Sequence, residues 1–204
     1  MIELDVQMTS DGRLVVFHDD RLERTTNGSG VLARTAYRQL AALDAGSWFH
    51  PRFSGERILL VSQAVRLTPQ RVRINFELKR TIRGQVLSQR FLQLMRQLRS
   101  CHRLLVSSFI PELLQPFTST RMARALICRS TPDRSLKHAE RLGCCAWHPF
   151  HQLVTRRIVE RAHAAGLRVH AWTIDDPLRA RRLLQWGVDG IFTNHPARMV
   201  RSLC

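Results

Sequence analysis

Short apolar runs alternate with longer amphipathic ones along this chain, and that alternation restricts the fold more than any other feature. Strand-like runs fall at 2–6, 14–17, 72–78, 104–109, 124–128, 144–147, 168–173 and 190–193. Helix-like segments separate most of them. Leu87, Phe91, Leu94, Met95 and Leu98 recur at the i, i+3/i+4 spacing of one buried stripe. Thr155 is placed to cap a helix over 156–165, with Gly166 just beyond its end. Asp176 is placed to cap 177–186, with Pro177 at the first helical position and Gly187 as the stop. Strand alternating with helix calls for parallel strands and right-handed crossovers. The class is therefore α/β, as a doubly wound sheet or a closed (β/α)8 TIM barrel. Such a barrel usually takes about 250 residues, and this chain falls short by about one βα unit. One run breaks the rhythm. Residues 14–17 follow 2–6 after only Thr9-Ser10-Asp11-Gly12-Arg13, too little for a helical crossover. They read as a hairpin return on an Asp11-Gly12 turn, leaving seven barrel-like strands.

Composition excludes several classes. A 44% hydrophobic, 24% charged chain of 204 residues is neither largely disordered nor a disulfide-dense scaffold. No apolar run approaches the ~18 residues of a transmembrane helix, so no integral membrane contact is expected. Met1-Ile2-Glu3-Leu4-Asp5 has neither the basic nor the apolar region of a secretory signal. The five cysteines form no C-x-x-C pair, which points to a reducing compartment and a cytoplasmic location. The net charge of +16 is uneven: residues 1–60 hold 8 acids and 7 bases, residues 61–204 hold 8 acids and 25 bases. With 30 Arg to 2 Lys, no basic run longer than two and no aromatic-studded basic ribbon, nucleic acid is not the expected partner. A basic surface does attract phosphate-bearing substrates or lipid headgroups.

Three segments carry candidate chemistry. In Glu3-Leu4-Asp5 the two carboxylates are two apart, so on a strand they share one face while Ile2, Leu4 and Val6 share the other. Either that face is solvated, or a divalent cation or basic partner compensates the pair. In Asn75-Phe76-Glu77-Leu78-Lys79 a third carboxylate and a lysine share a face. Glu77 would complete an all-oxygen site, which selects Mg²⁺ or Ca²⁺ over zinc, or it forms only a surface pair with Lys79. The third segment is Val15-Val16-Phe17-His18-Asp19-Asp20, followed by Arg24-Thr25-Thr26-Asn27-Gly28. His18, just past an apolar strand, is a candidate acid or base, or a hydrogen-bonded structural residue.

Taken together, E-L-D-V, T-x-D-G, V-V-x-H-D, R-T-T-N-G and E-L-K, in that order, resemble the glycerophosphodiester phosphodiesterase family. Further matching stretches (43–49, 106–109, 169–173 and 187–194) extend the resemblance over nearly the whole chain. It implies a TIM barrel forming one domain over 1–204, with a small insertion at 9–56 that supplies His18. It also implies a cation held by Glu3, Asp5 and Glu77, a catalytic His18, Lys79 near the substrate phosphate and Trp172 lining the pocket. The implied reaction cleaves glycerophosphodiesters such as glycerophosphocholine or glycerophosphoethanolamine to glycerol 3-phosphate and an alcohol, in lipid and glycerol metabolism.

The family pattern also contains an H-R-G strand end and a P-E-N-T helix start, and neither occurs here. The chain begins within the family's second strand, so the reading is of an N-terminally truncated barrel with seven of eight strands. The expectation is a start site upstream. A catalytically impaired remnant, or a protein that binds glycerophosphodiesters or anionic headgroups without cleaving them, is the alternative. Two open barrel edges, at 2–6 and 190–193, would also allow self-association. His148 and His170 are expected to be structural.

Overall fold

The computed structural model describes residues 1–81, 83–98 and 103–203, and Cys101 and Cys204 lie outside the described residues. The chain divides into two compact units, Met1–Val106 and Ser107–Cys204. The first holds β1 (Ile2–Met8), β2 (Leu14–Val16), α1 (Tyr37–Leu40), α2 (Val61–Leu67), β3 (Ile74–Leu78) and α3 (Gly84–Leu98). Strand β4 (Leu104–Ser108) spans the division.

β1 pairs in parallel with β3, placing Glu3 opposite Asn75 and Asp5 opposite Glu77. On its other side Val6–Met8 pairs antiparallel with β2, the hairpin expected from the sequence. The turn is closed by Gly12 N–H donating to Thr9 O at 3.0 Å, and Gly12 has φ +79°. A side chain there would also run into Arg90 of α3, whose guanidinium donates to Gly12 O at 2.7 Å. Leu87, Phe91 and Met95 of α3 are buried, at the expected spacing, with Phe91 edge-on to Phe76 of β3 at 5.4 Å.

The stretch from 15 to 60 has a small apolar cluster of its own. Val15, Phe17, Leu22, Leu32, Leu40 and Ile58 are buried together, with Tyr37, Leu43, Ala45 and Leu60 packed against them. Burying six apolar side chains, each at roughly 1.5–3 kcal/mol, gives the segment enough cohesion to hold a fixed shape.

The second unit contains α4 (Pro111–Leu114), β5 (Ala123–Cys128), α5 (Pro132–Arg141), β6 (Ala146–Pro149), α6 (Arg156–Ala164), β7 (Arg168–Ala171), α7 (Pro177–Gln185), β8 (Gly190–Ile191) and α8 (Pro196–Leu203). Strands β5 to β8 pair in chain order, each parallel to the next. The helix caps fall where the sequence placed them. Thr155 accepts from Ile158 N–H, and Asp176 accepts from Leu178 and Arg179 N–H. Among the described residues, no helix is long and apolar enough to cross a membrane.

One arginine of the basic segment is a structural member. Arg103 is 5% exposed and its guanidinium donates to the carbonyls of Val65, Thr68, Pro69 and Val72 at 2.6–3.3 Å. It clamps the end of α2 and the turn that leads into β3. Replacing Arg103 by alanine strands those carbonyls, and a loss of about 2–4 kcal/mol is expected in urea unfolding. Arg103→Lys should recover only part of it, because an ammonium cannot reproduce the fork. A midpoint unchanged in Arg103→Ala would contradict the clamp.

Candidate active site

The parallel register of β1 and β3 builds the site. Neighbouring strands run about 4.8 Å apart, so directly opposed residues on one face are forced together. Asp5 and Glu77 are such a pair, and Glu3 stands two residues earlier on the same face. One carboxylate oxygen from each of Glu3, Asp5 and Glu77 lies within 4.8 Å of the others. Lys79 continues the β3 face and reaches back. Its Nζ lies 2.9 Å from Glu77 and 3.3 Å from Asp5. Asn75 stands on that face too, buried, its Oδ1 lacking a hydrogen-bond partner among the described residues.

The electrostatics follow from this crowding. At an effective dielectric near 20, two unit charges at this separation repel by roughly 3–4 kcal/mol. One ammonium cannot offset three carboxylates. Burial of the surroundings, with repulsion from Asp5 and then Glu77, raises Glu3 to about 8, although its side chain keeps access to solvent. Burial also raises Glu77, with Lys79 pulling it back and Asp5 adding to the rise. Burial works against the charge of Lys79, but Glu77 and Asp5 outweigh it and hold its pKa above the ordinary value. Three carboxylates and one ammonium leave two negative charges, which a divalent cation would neutralise. The donors are hard oxygens, with the Asn75 carbonyl spare. Charge, donor type and spacing all fit Mg²⁺ or Ca²⁺.

His18 leaves the end of β2 on the loop beside this cluster. Together with Asp19, Asp20, Arg21, Lys79 and Arg80 it lines a cleft of about 460 Å³. Gln7 fixes the path of that loop: its Nε2 donates to Asp19 O at 2.7 Å, His18 O at 3.1 Å and Phe17 O at 3.3 Å. His18 Nδ1 lies 2.5 Å from Asp19 Oδ1. The Arg24 guanidinium beside Asp19, and then His18, hold the Asp19 carboxyl down at about 2. Asp19 is therefore an acceptor, Nδ1 carries the proton, and Nε2 is left as the basic nitrogen.

In the second unit, Trp172 stands just beyond β7, half-buried, its Nε1 donating to His148 O at 2.8 Å. Phe109 and Phe150 meet its ring at 5.5 and 5.3 Å, and Arg129 lies 5.4 Å over it. His148 is buried, 3.1 Å from His170. Burial and His170 push its pKa well below the usual imidazole range, so it stays neutral.

Glu3, Asp5, Glu77, Lys79 and His18, the site residues expected from the sequence, all lie in the first unit: the three carboxylates meet, Lys79 bonds Asp5 and Glu77, and His18 shares a cleft with Lys79. Gln7 was not among them, although Glu3, Asp5 and Gln7 form an i, i+2, i+4 polar face that was there to be read. Arg80, Asp20 and Arg21 were missed as cleft residues, because nothing in their spacing sets them apart from solvated charges.

Known proteins resemble this chain in sequence and fold. The description "Glycerophosphoryl diester phosphodiesterase family" matches residues 1–198. The chain belongs to that family. The family consists of phosphoric diester hydrolases. A glycerophosphodiester phosphodiesterase of Bacillus altitudinis is 33% identical over 211 residues, 98% of this chain and 84% of its own length. One from Caldanaerobacter subterraneus subsp. tengcongensis is 30% identical, covering 98% and 84%. Among solved structures, an Oleispira antarctica phosphodiesterase in complex with the product sn-glycerol-3-phosphate aligns with a TM-score of 0.90 at 29% identity, covering 98% of this chain and 83% of that one. The fold class is thus the family's α/β TIM-barrel type, with β1 and β3 to β8 as seven barrel strands and β2 as the hairpin return.

A cation on the three oxygens must displace the Glu3 proton. Affinity for Mg²⁺ or Ca²⁺, measured by calorimetry, is therefore expected to rise about tenfold per pH unit up to about 8, with proton release, and to level off above it. Affinity independent of pH between 6 and 8 would contradict the assignment of that proton.

Proposed function

We propose that this chain hydrolyses glycerophosphodiesters, such as glycerophosphocholine and glycerophosphoethanolamine, to glycerol 3-phosphate and the free alcohol. The observation that carries the reading is the convergence of Glu3, Asp5 and Glu77 beside Lys79, with His18 lining the same cleft as Lys79. The reading takes residues 1–204 as one catalytic domain in which 9–56 is an insertion. The relatives' names and the glycerol 3-phosphate bound to the Oleispira enzyme support the substrate class.

Glu3, Asp5 and Glu77 would hold Mg²⁺ or Ca²⁺. When bound there, the cation polarises phosphoryl oxygens and lowers the pKa of a neighbouring hydroxyl. Lys79, partly exposed between Asp5 and Glu77, turns an ammonium towards the cleft where a phosphate would lie. In this scheme the substrate's own 2-hydroxyl is the nucleophile: it gives its proton to solvent water and bonds to phosphorus as the P–O bond to the alcohol breaks, leaving a cyclic phosphate that water then opens. His18, with Nδ1–H held on Asp19, takes up a proton from solvent at Nε2 and, as the imidazolium paired with Asp19, delivers that proton to the departing alkoxide. Trp172, in the second unit, is the aromatic residue that the family resemblance assigns to the substrate.

Release of glycerol 3-phosphate from glycerophosphocholine, followed with and without added cation, tests this. Glu3→Ala and Glu77→Gln should each lower cation-dependent turnover by about 10²–10⁴-fold and weaken cation binding. His18→Ala should lower turnover by a similar ~10²–10⁴-fold while cation affinity stays as in the parent. Binding of substrate without release by the parent chain would identify a binding protein instead.

A further inference from the structure

His18 is exposed, and so is the arginine that supports it. Exposed ion pairs add little to stability, so the pairing of Arg24 with Asp19 is a poor stabilising device. Its geometry is nevertheless tightly specified. Arg24 Nε and Nη2 donate to the two oxygens of Asp19 at 2.5 and 2.9 Å, and Asp19 Oδ1 also takes His18 Nδ1. The Arg24 Cζ lies over the Trp48 ring, 5.7 Å from its centre.

Trp48 is held there by a second set of contacts. Its Nε1 donates to Ala45 O at 2.9 Å. Asp44 anchors the loop, accepting from the N–H groups of Gly46, Ser47 and Gly55 at 2.6–2.9 Å, and these bonds keep its carboxyl ionised far into acid. That loop is stitched to the segment after Arg24: Asn27 N–H donates to Asp44 O at 3.1 Å, and Asp44 N–H donates to Asn27 Oδ1 at 2.8 Å. Gly28 makes the join close, since a side chain there would meet Leu43 at 2.6 Å. The R-T-T-N-G segment and the 43–49 loop thus form one device. It brings the Trp48 ring against the guanidinium and the guanidinium against Asp19.

We propose that Arg24, capped by Trp48, is a positioning residue that fixes the tautomer and orientation of His18 through Asp19. The inference rests on the assignment of His18 above and extends it to two residues of the insertion. Freed from Arg24, the Asp19 carboxylate swings between rotamers and the His18 ring follows it, so Nε2 presents itself to the leaving group only part of the time.

The ring can be read without turnover. Long-range ¹H–¹⁵N NMR of the full chain, with His18 assigned by its absence in His18→Gln, should show the proton on Nδ1 in the parent. Arg24→Ala should move the population towards Nε2–H. Trp48→Ala should do so partially, and Trp48→Phe should keep the parent pattern. In turnover, Arg24→Ala is expected to lower kcat about 10–100-fold while cation affinity is kept. KM should stay within about twofold. In a His18→Ala background Arg24→Ala should have no further effect. Arg24→Lys, which retains the charge, keeps the test open if Arg24→Ala disturbs the insertion, and should fall between parent and Arg24→Ala. A parent-like ring in both Arg24 variants, or the full loss repeated in the His18→Ala background, would overturn the positioning role. An inactive parent with the expected ring pattern would overturn the functional reading and leave the positioning role standing.

Discussion

The register of β1 against β3 is the constraint from which the site follows. Two strands that bury Val6, Met8, Ile74, Phe76 and Leu78 on one side bring Asp5 and Glu77 face to face on the other. A slip of one residue would turn Glu77 into the apolar layer and Phe76 into the cleft. The apolar residues therefore enforce the polar geometry: the hydrophobic side of the pair fixes a register that the carboxylates alone would resist. The cost of that resistance is visible in Glu3, raised to about 8, and in Lys79, drawn between two acids. Such a cluster is pre-organised for a cation because the fold has already absorbed the work of bringing the charges together.

The segment that returns along β1 meets a different need of the proposed reaction. Proton transfer needs a group near the acidic cluster that is not a member of it. The hairpin turn at Asp11-Gly12 returns the chain along β1, and Gln7, on the acidic face of that same strand, holds three successive carbonyls of the returning loop. His18 is thereby tied to the strand that carries Glu3 and Asp5. The apolar cluster of 15–60 underlies the segments that carry Arg24 and Trp48, with Arg24 bonded to Asp19 next to His18.

Much of this was legible in the sequence, and for definite reasons. Strands flanked by turns and capped helices leave strong local signals, so all eight apolar runs lie on strands and both capped helices start at the expected residues. The ends were less legible where one segment serves two elements. The run expected at 144–147 becomes Ala146–Pro149, because Gly143 and Cys144 donate back to Glu140 and Ala139 and close α5. The last strand stops at Ile191, because Thr193 and Asn194 turn to bond Asp175. For the site, residues two apart on a strand announced the carboxylates, since period two is a backbone property. The roles of Asp19, Arg24 and Trp48 were hidden. Trp48 reaches Arg24 across 24 positions, and local pattern carries no information about such a contact.

The central claim is that three carboxylates from two adjacent strands hold one hard cation. A crystal structure of the chain grown with Ca²⁺, with anomalous data collected to identify the ion, tests it most directly. One calcium is expected within about 2.3–2.6 Å of oxygens from Glu3, Asp5 and Glu77, with Lys79 displaced towards the cleft. A calcium bound elsewhere, or an empty cluster with Lys79 still bridging Asp5 and Glu77 at saturating Ca²⁺, would contradict it.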